Sequence, residues 1–391
     1  MKHASPPARC HCSTLIGQRP AATQDKNACA PLHVLRMQTT NDMPVFRSLG
    51  WLDRYLAAWV LLAMAAGLLL GNFVPGAQDA LNQGRFAGVS VPIAVGLLVM
   101  MYPLLCNVRY EALPDMFRHG ALWKQLAFSV LLNWIVAPFV MLGLAWAFLP
   151  DEPRLRSGLV LVGLGRCIAM VLVWNDVAGG DPEYCAILVA VNSLLQMVLF
   201  APLAVLFISV IGRQPGQDGI RDLSYSLVAA SVGIFLGVPL GAAILTRLLA
   251  RAVAGPERCQ GVLARFASPL SLAGLLYTIA VLFAAQGKHV TRQVVSVLRV
   301  AAPLVVYFVV VFSATLWVAR RAGCGYRLAC TQSFTAASNN FELAIAVAVA
   351  TFGADSQQAL AATVGPLIEV PVLVGLVYLV RWIGRRWNWR D

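Results

Sequence analysis

The sequence predicts an all-α polytopic membrane protein of about ten spans, built as two inverted five-helix repeats with broken, crossing fourth and ninth helices. Three observations carry this. The 391 residues are 59% hydrophobic and only 12% charged, with a mean hydropathy of +0.71, more apolar surface than a water-exposed globule can cover. Apolar runs long enough to cross roughly 30 Å of hydrocarbon recur along the chain. One such run in each half is interrupted by polar or glycine-rich residues.

The first three spans, near 55–74, 87–106 and 123–149, are clean apolar runs. The fourth, near 158–174, carries Gly163, Gly165 and Arg166 in its interior; each glycine lowers helix propensity by about 1 kcal/mol relative to alanine. The fifth, near 184–211, sets Asn192 and Gln196 four residues apart on one face, where they can form interhelical hydrogen bonds. Spans six to eight, near 224–249, 265–285 and 297–319, are again clean. The ninth, near 329–353, contains Ser338, Asn339 and Asn340, whose side chains compete for backbone groups, and then Glu342. The tenth, near 357–381, holds Glu369 between Pro366 and Pro371.

A shift of about 174 residues lays Arg166–Asp181 on Asn340–Asp355, each an apolar run ending at glycine-containing turns. Five spans per half is an odd number, so homologous halves insert with opposite orientation. The expected division is a first repeat over 51–211 and a second over 212–391. Residues 1–50 are expected to be a disordered cytoplasmic extension, with a true start at Met37 or Met43 as the alternative. Their Cys10, His11 and Cys12 match no zinc spacing.

The net charge of +12 would suggest a nucleic-acid partner in a soluble protein, but here the basic residues lie in short loops between apolar runs. About seventeen of them flank one side and about eight the other, which puts both termini in the cytoplasm, with the plasma membrane as the expected site. The nine cysteines show no paired extracellular spacing, so reduced thiols are expected. Cys106 and Cys185 read as packing residues.

Glu342 is the sharpest candidate for function. An acid at membrane depth costs roughly 2.5–3.5 kcal/mol on insertion scales, and such residues mark ion or substrate pathways. Cys167, beside Gly165 and Arg166 in a broken span, is either a small buried hydrophobe or a reactive thiol, with Arg166 or a helix N-terminus raising its thiolate fraction. Arg166 itself either plays a structural part, neutralising Glu342 or capping carbonyl ends of the broken helix, or touches substrate. Glu369 has a packing reading and a proton-relay reading. Asn339 and Asn340 can both satisfy freed backbone and hydrogen-bond a small polar substrate.

GLGRCIAMVLVWND at 163–176, QSFTAASNNFELAIAVA at 332–348, GPLIEVPVLVGL at 365–376 and LDRYLAAWVLLAM at 52–64 resemble the arsenite efflux permeases of the bile acid/arsenite/riboflavin transporter superfamily. The likeness runs from about Leu52 to the C-terminus. It departs at Asn107, where a basic residue is expected, and over the first fifty residues. The resemblance implies a ten-helix inverted-repeat carrier that expels trivalent arsenic, and in some members antimony, in exchange for protons. Its functional cysteine falls on Cys167 and its functional glutamate on Glu342.

Residue chemistry is compatible with that implication. Trivalent arsenic is a soft, thiophilic centre, and soft centres prefer thiolate sulfur to oxygen. A single exchangeable thiol, Cys167, suits transient capture, while protonation of Glu342 couples proton entry to release. Asn339 and Asn340 would meet the hydroxyls of an arsenous-acid-like substrate, with Arg166, Glu369, Asn192 and Gln196 in supporting positions. The competing class is a sodium-coupled organic-anion carrier, bile-acid-like, which needs clustered oxygen ligands and leaves Cys167 idle. No cofactor is expected. A membrane enzyme finds no metal triad, nucleophile elbow or phosphate loop.

Overall fold

The computed structural model describes residues 55–106, 108, 110, 120–168, 170–212, 223–255, 269–285, 293–387 and 389. The 1–50 extension, Asn107 and residues 256–268, which include the start of the expected seventh span, lie outside these described residues. Helix α1 (Leu56–Phe73) is followed by the short α2 (Ala77–Asn82) and by a hairpin of β1 (Arg85–Phe86) and β2 (Val89–Ser90), in which Arg85 pairs with Ser90 and Phe86 with Val89. The second span was expected to start near residue 87. It starts instead at α3 (Val91–Cys106), because Ala87 and Gly88 both take positive φ (52° and 82°), the hand that a two-residue hairpin turn requires.

Three later helices pass through π-helical turns. In α4, Gly120–Leu131 continues through Leu132–Val136 into Ala137–Phe148; in α7, Pro182–Val205 continues into Leu206–Ile211; in α8, Tyr225–Val232 continues through Gly233–Gly237 into Val238–Ala254. In α4 and α8 the turn lies just ahead of a proline, Pro138 or Pro239. A proline has no N–H and crowds the carbonyl four residues back, and a locally wider turn relieves both.

Between these lie α5 (Pro153–Leu164) and α6 (Met170–Ala178), which divide the fourth run. The remainder is α9 (Pro269–Ala285), α10 (Val294–Arg321), α11 (Tyr326–Ala337), α12 (Phe341–Phe352) and α13 (Gln357–Arg386). Among the described residues, five helical stretches are long and apolar enough to cross a membrane: Trp123–Phe148, Pro182–Ile211, Tyr225–Val253, Val294–Arg321 and Gln357–Arg386. Ala58–Phe73, Val91–Cys106, Pro269–Ala285 and Phe341–Phe352 are apolar but shorter. The protein is a mostly helical, polytopic membrane protein.

Element order recurs along the chain. The start of α4 at Gly120 and of α10 at Val294, and the glycines that end α6 (Gly179, φ 80°) and α12 (Gly353, φ 95°), are each about 174 residues apart. Helices α7 and α13 then open on side-chain caps, Asp181 accepting the Glu183 and Tyr184 amides and Ser356 that of Ala359.

Two sets of helices pack within the single compact unit that contains the described residues. In one, Gly67 and Gly71 of α1 lie directly on the backbone of Ala280 and Ala284 in α9, small residues four apart on both sides, and α9 also meets α3 where Gly96 faces Thr278. In the other, α5 packs on α4 and α13, and α10 packs on α11 and α13, enclosing the two interrupted runs.

Candidate functional site

Helix α5 stops at Leu164 because Gly165 leaves the helical region (φ −74°, ψ 124°), and α11 stops at Ala337 because Ser338 does the same (φ −77°, ψ 139°). The two breaks run antiparallel past each other, with Arg166 bridged to Asn339 as in a sheet. The Asn340 N–H donates to Gly165 O at 3.1 Å and the Cys167 N–H to Ser338 O at 3.3 Å. Each break thus satisfies backbone groups freed by the other, which is the condition for unwound chain at membrane depth. Glycine at 165 is required by the crossing, since a Cβ there would lie 2.7 Å from Asn340 O.

Arg166 is fully buried. Its guanidinium donates to Gly163 O, and at 3.3 Å to both Ala336 O and the Tyr307 hydroxyl. Gly163 and Ala336 lie in the last turns of α5 and α11, so the cation sits on two partially negative helix ends. Among the described residues it forms no ion pair, and the carbonyl-capping reading describes its geometry better than neutralisation of Glu342. Its backbone N–H donates to Gln196 Oε1 at 2.6 Å.

Cys167 is buried, and its Sγ accepts the Val171 N–H at 3.3 Å in the first turn of α6. Asn340 caps α12, its Oδ1 accepting the Leu343 N–H at 3.1 Å. From Ala329 to Val349 every residue is buried except Glu342, which keeps an accessible surface in the first turn of α12. Glu342 thus sits in the first turn after the second break, two residues past Asn340, in a run otherwise sealed in protein. Glu369 on α13 is buried and lies beside Glu342, the Ser338 hydroxyl and the Asn339 amide.

Among the described residues, several buried donors at the crossing have no hydrogen-bond partner: Arg166 Nε, Gln196 Nε2, Asn339 Nδ2 and Asn340 Nδ2. Buried polar groups are almost always paired, so these donors are open to a further hydrogen-bond acceptor. Among the described residues no group of three or more His, Cys, Asp or Glu side chains could hold a metal ion. The chemistry offered is one thiol, two carboxyls and a set of amide donors.

Of the residues expected at the site, Cys167, Arg166, Asn339, Asn340, Glu342, Glu369 and Gln196 come together at the crossing. Asn192 is tied to α4 instead, its Oδ1 accepting the Trp134 indole N–H at 3.1 Å from the π turn of that helix. Sequence reasoning missed Tyr307 on α10, a fully buried phenol that donates to Asn339 Oδ1 at 3.3 Å and so links both breaks through Arg166. The available signal was a lone tyrosine in an apolar span, whose hydroxyl needs a partner when buried.

Residues 94–293 match the Sodium Bile acid symporter family, about half of the chain. The chain is also 47% identical over 338 residues to the arsenical-resistance protein Acr3 of Corynebacterium glutamicum, covering 86% of this chain and 90% of that protein. The chain belongs to the sodium bile acid symporter family and, within it, to the arsenical-resistance proteins. A second arsenical-resistance protein Acr3, from Alkaliphilus metalliredigens, is 29% identical over 344 residues, 85% of this chain and 92% of that one. An uncharacterized transporter of Synechocystis is 30% identical over 353 residues, 85% and 89% of the two chains. Membership in this family makes the protein a transporter and not an enzyme.

Proposed function

We propose that this family member is a secondary active carrier that exports trivalent arsenic as arsenite from the cytoplasm across the plasma membrane in exchange for protons, and thereby confers arsenic resistance. What supports the reading is that Cys167 lies on one of two crossing helix breaks and Glu342 in the first turn after the other, in a chain 47% identical to an arsenical-resistance protein.

The physical cycle follows from the parts. With both termini cytoplasmic, Cys167 captures arsenic from the inner side, and one arsenic–sulfur bond exchanges readily enough to let the cargo go. The unpaired amides of Asn339 and Asn340 donate to the arsenic-bound oxygens. Outward opening exposes Glu342 and its neighbour Glu369 to protons, and protonation releases the substrate. The recurrence of elements about 174 residues apart supports an architecture of ten spans as two inverted repeats, 51–211 and 212–391. The set holding α1, α3 and α9 rocks against the set around the crossing, which gives alternating access about a fixed site.

The family's sodium symporter description favours one competing reading, a sodium-coupled carrier of organic anions. Two readouts separate them. Everted vesicles should accumulate arsenite under an imposed pH gradient, and an arsenite-sensitive strain should grow in arsenite when it carries this gene. Equal or faster uptake with a sodium gradient in place of the pH gradient, or no protection of the strain, rejects arsenic–proton exchange.

A further inference from the structure

Helices α10 and α13 pack together and end on paired arginines, Arg320 and Arg321 in one and Arg385 and Arg386 in the other. All four are exposed, and among the described residues none forms an ion pair. Two of them, Arg320 and Arg321, are held on indole faces. The Arg320 guanidinium lies 4.0 Å from the Trp387 ring centre and 5.2 Å from that of Trp389, and Arg321 lies 5.0 Å from Trp317. The contact of Arg320 with Trp387 joins the two helix ends into one rim, and the Trp389 indole N–H fastens it to Cys324 O at 3.2 Å.

The same rim presents apolar surface. Trp317, Trp382 and Trp387 are 59%, 60% and 49% exposed, in a band with the four cations. Exposed indoles next to a membrane settle at headgroup depth, with the ring among the glycerol and upper acyl groups and the N–H toward water. A guanidinium stacked on an indole keeps its in-plane N–H fork free, and that fork matches the oxygens of a phosphate. Cations and exposed indoles side by side on one rim complement a ligand with an anionic phosphate above two acyl chains.

We propose that the α10–α13 rim is a binding site for an anionic phospholipid, its phosphate held by Arg320, Arg321, Arg385 and Arg386 and its upper chains against Trp317 and Trp382. The site is placed to matter for the carrier. Tyr326, whose ring packs edge-on against Trp389, donates its hydroxyl to Ala178 O at 2.8 Å, and Arg381 donates to Val177 O at 2.8 Å. A lipid on the rim therefore steadies the elements that hold the end of α6, the helix whose first turn receives the Cys167 sulfur. Lipid binding itself does not depend on which substrate is carried.

The test is native mass spectrometry of the full chain in detergent, incubated with phosphatidylglycerol or with phosphatidylcholine of the same acyl chains. Wild type should retain phosphatidylglycerol in preference, and R320Q/R321Q and R385Q/R386Q should each lower that retention at least about five-fold. R251Q, at the exposed end of α8, should not. Equal retention of the two lipids, unchanged retention in both double variants, or an arginine-dependent dimer in place of bound lipid overturns the proposal. If a double variant fails to fold, R385Q alone is read on the same scale, and a loss under two-fold counts against the site.

Discussion

A guanidinium with no route to water must find its acceptors among protein oxygens, and Arg166 finds them at the ends of two helices from different halves of the chain. Removing it leaves Gly163 O, Ala336 O and the Tyr307 hydroxyl without their donor. Each buried group so orphaned costs about 1–3 kcal/mol, so Arg166→Met should lower thermal stability in detergent markedly and cut the yield of monodisperse protein. Stability equal to wild type would mean that these carbonyls have other partners. On the opposite exposure extreme, Asp151 in the α4–α5 loop is held below the ordinary carboxylate range, chiefly by its hydrogen bond from Arg299. A carboxyl whose folded-state value is depressed stabilises the fold above its unfolded value near 3.8 and loses that contribution as pH falls through the folded one. Arg299→Gln should therefore flatten the decline in melting temperature between about pH 5 and pH 3, by a small amount because the pair is exposed.

The broken helices are where glycine placement decides structure, and two substitutions separate a required glycine from an incidental one. Gly165→Ala pushes a methyl group to 2.7 Å from Asn340 O and parts the crossing strands, so transport should fall to near background. Gly143, inside α4, has nothing within 4 Å of an added Cβ, and Gly143→Ala should be neutral in transport and more stable by about 0.5–1 kcal/mol. Comparable activity in both variants would show that the close approach at Gly165 is dispensable. The same elements show what was legible in the sequence. Span positions were readable because hydropathy reports length directly, and both interruptions fell where Gly163, Gly165 and the Ser338-Asn339-Asn340 run weaken a helix. That the breaks pair with each other could only be guessed, because backbone pairing across more than a hundred residues leaves no compositional mark. The π turns went unread although Pro138 and Pro239 advertise them, and the 85–90 hairpin was hidden because Ala87 is not a residue expected at positive φ. Asn192 and Gln196 looked equivalent at i and i+4, yet the π turn of α4 brings Trp134 to one while the crossing claims the other.

At the scale of the whole molecule, the arrangement brings one interrupted run from each half of the chain into the same helix set, with Cys167 on the first and Glu342 on the second. Cys167 follows the first break and Glu342 the second, and backbone hydrogen bonds join Gly165 and Cys167 to Asn340 and Ser338. If transport works by capture on sulfur and release on carboxyl protonation, the two residues fail differently. Arsenite uptake into everted vesicles under an imposed pH gradient, compared across wild type, Cys167→Ser and Glu342→Gln, measures this most directly. The account predicts that Cys167→Ser abolishes uptake at every gradient, while Glu342→Gln leaves arsenite binding intact and removes the response to pH. Wild-type rates with normal pH dependence in both variants would contradict it.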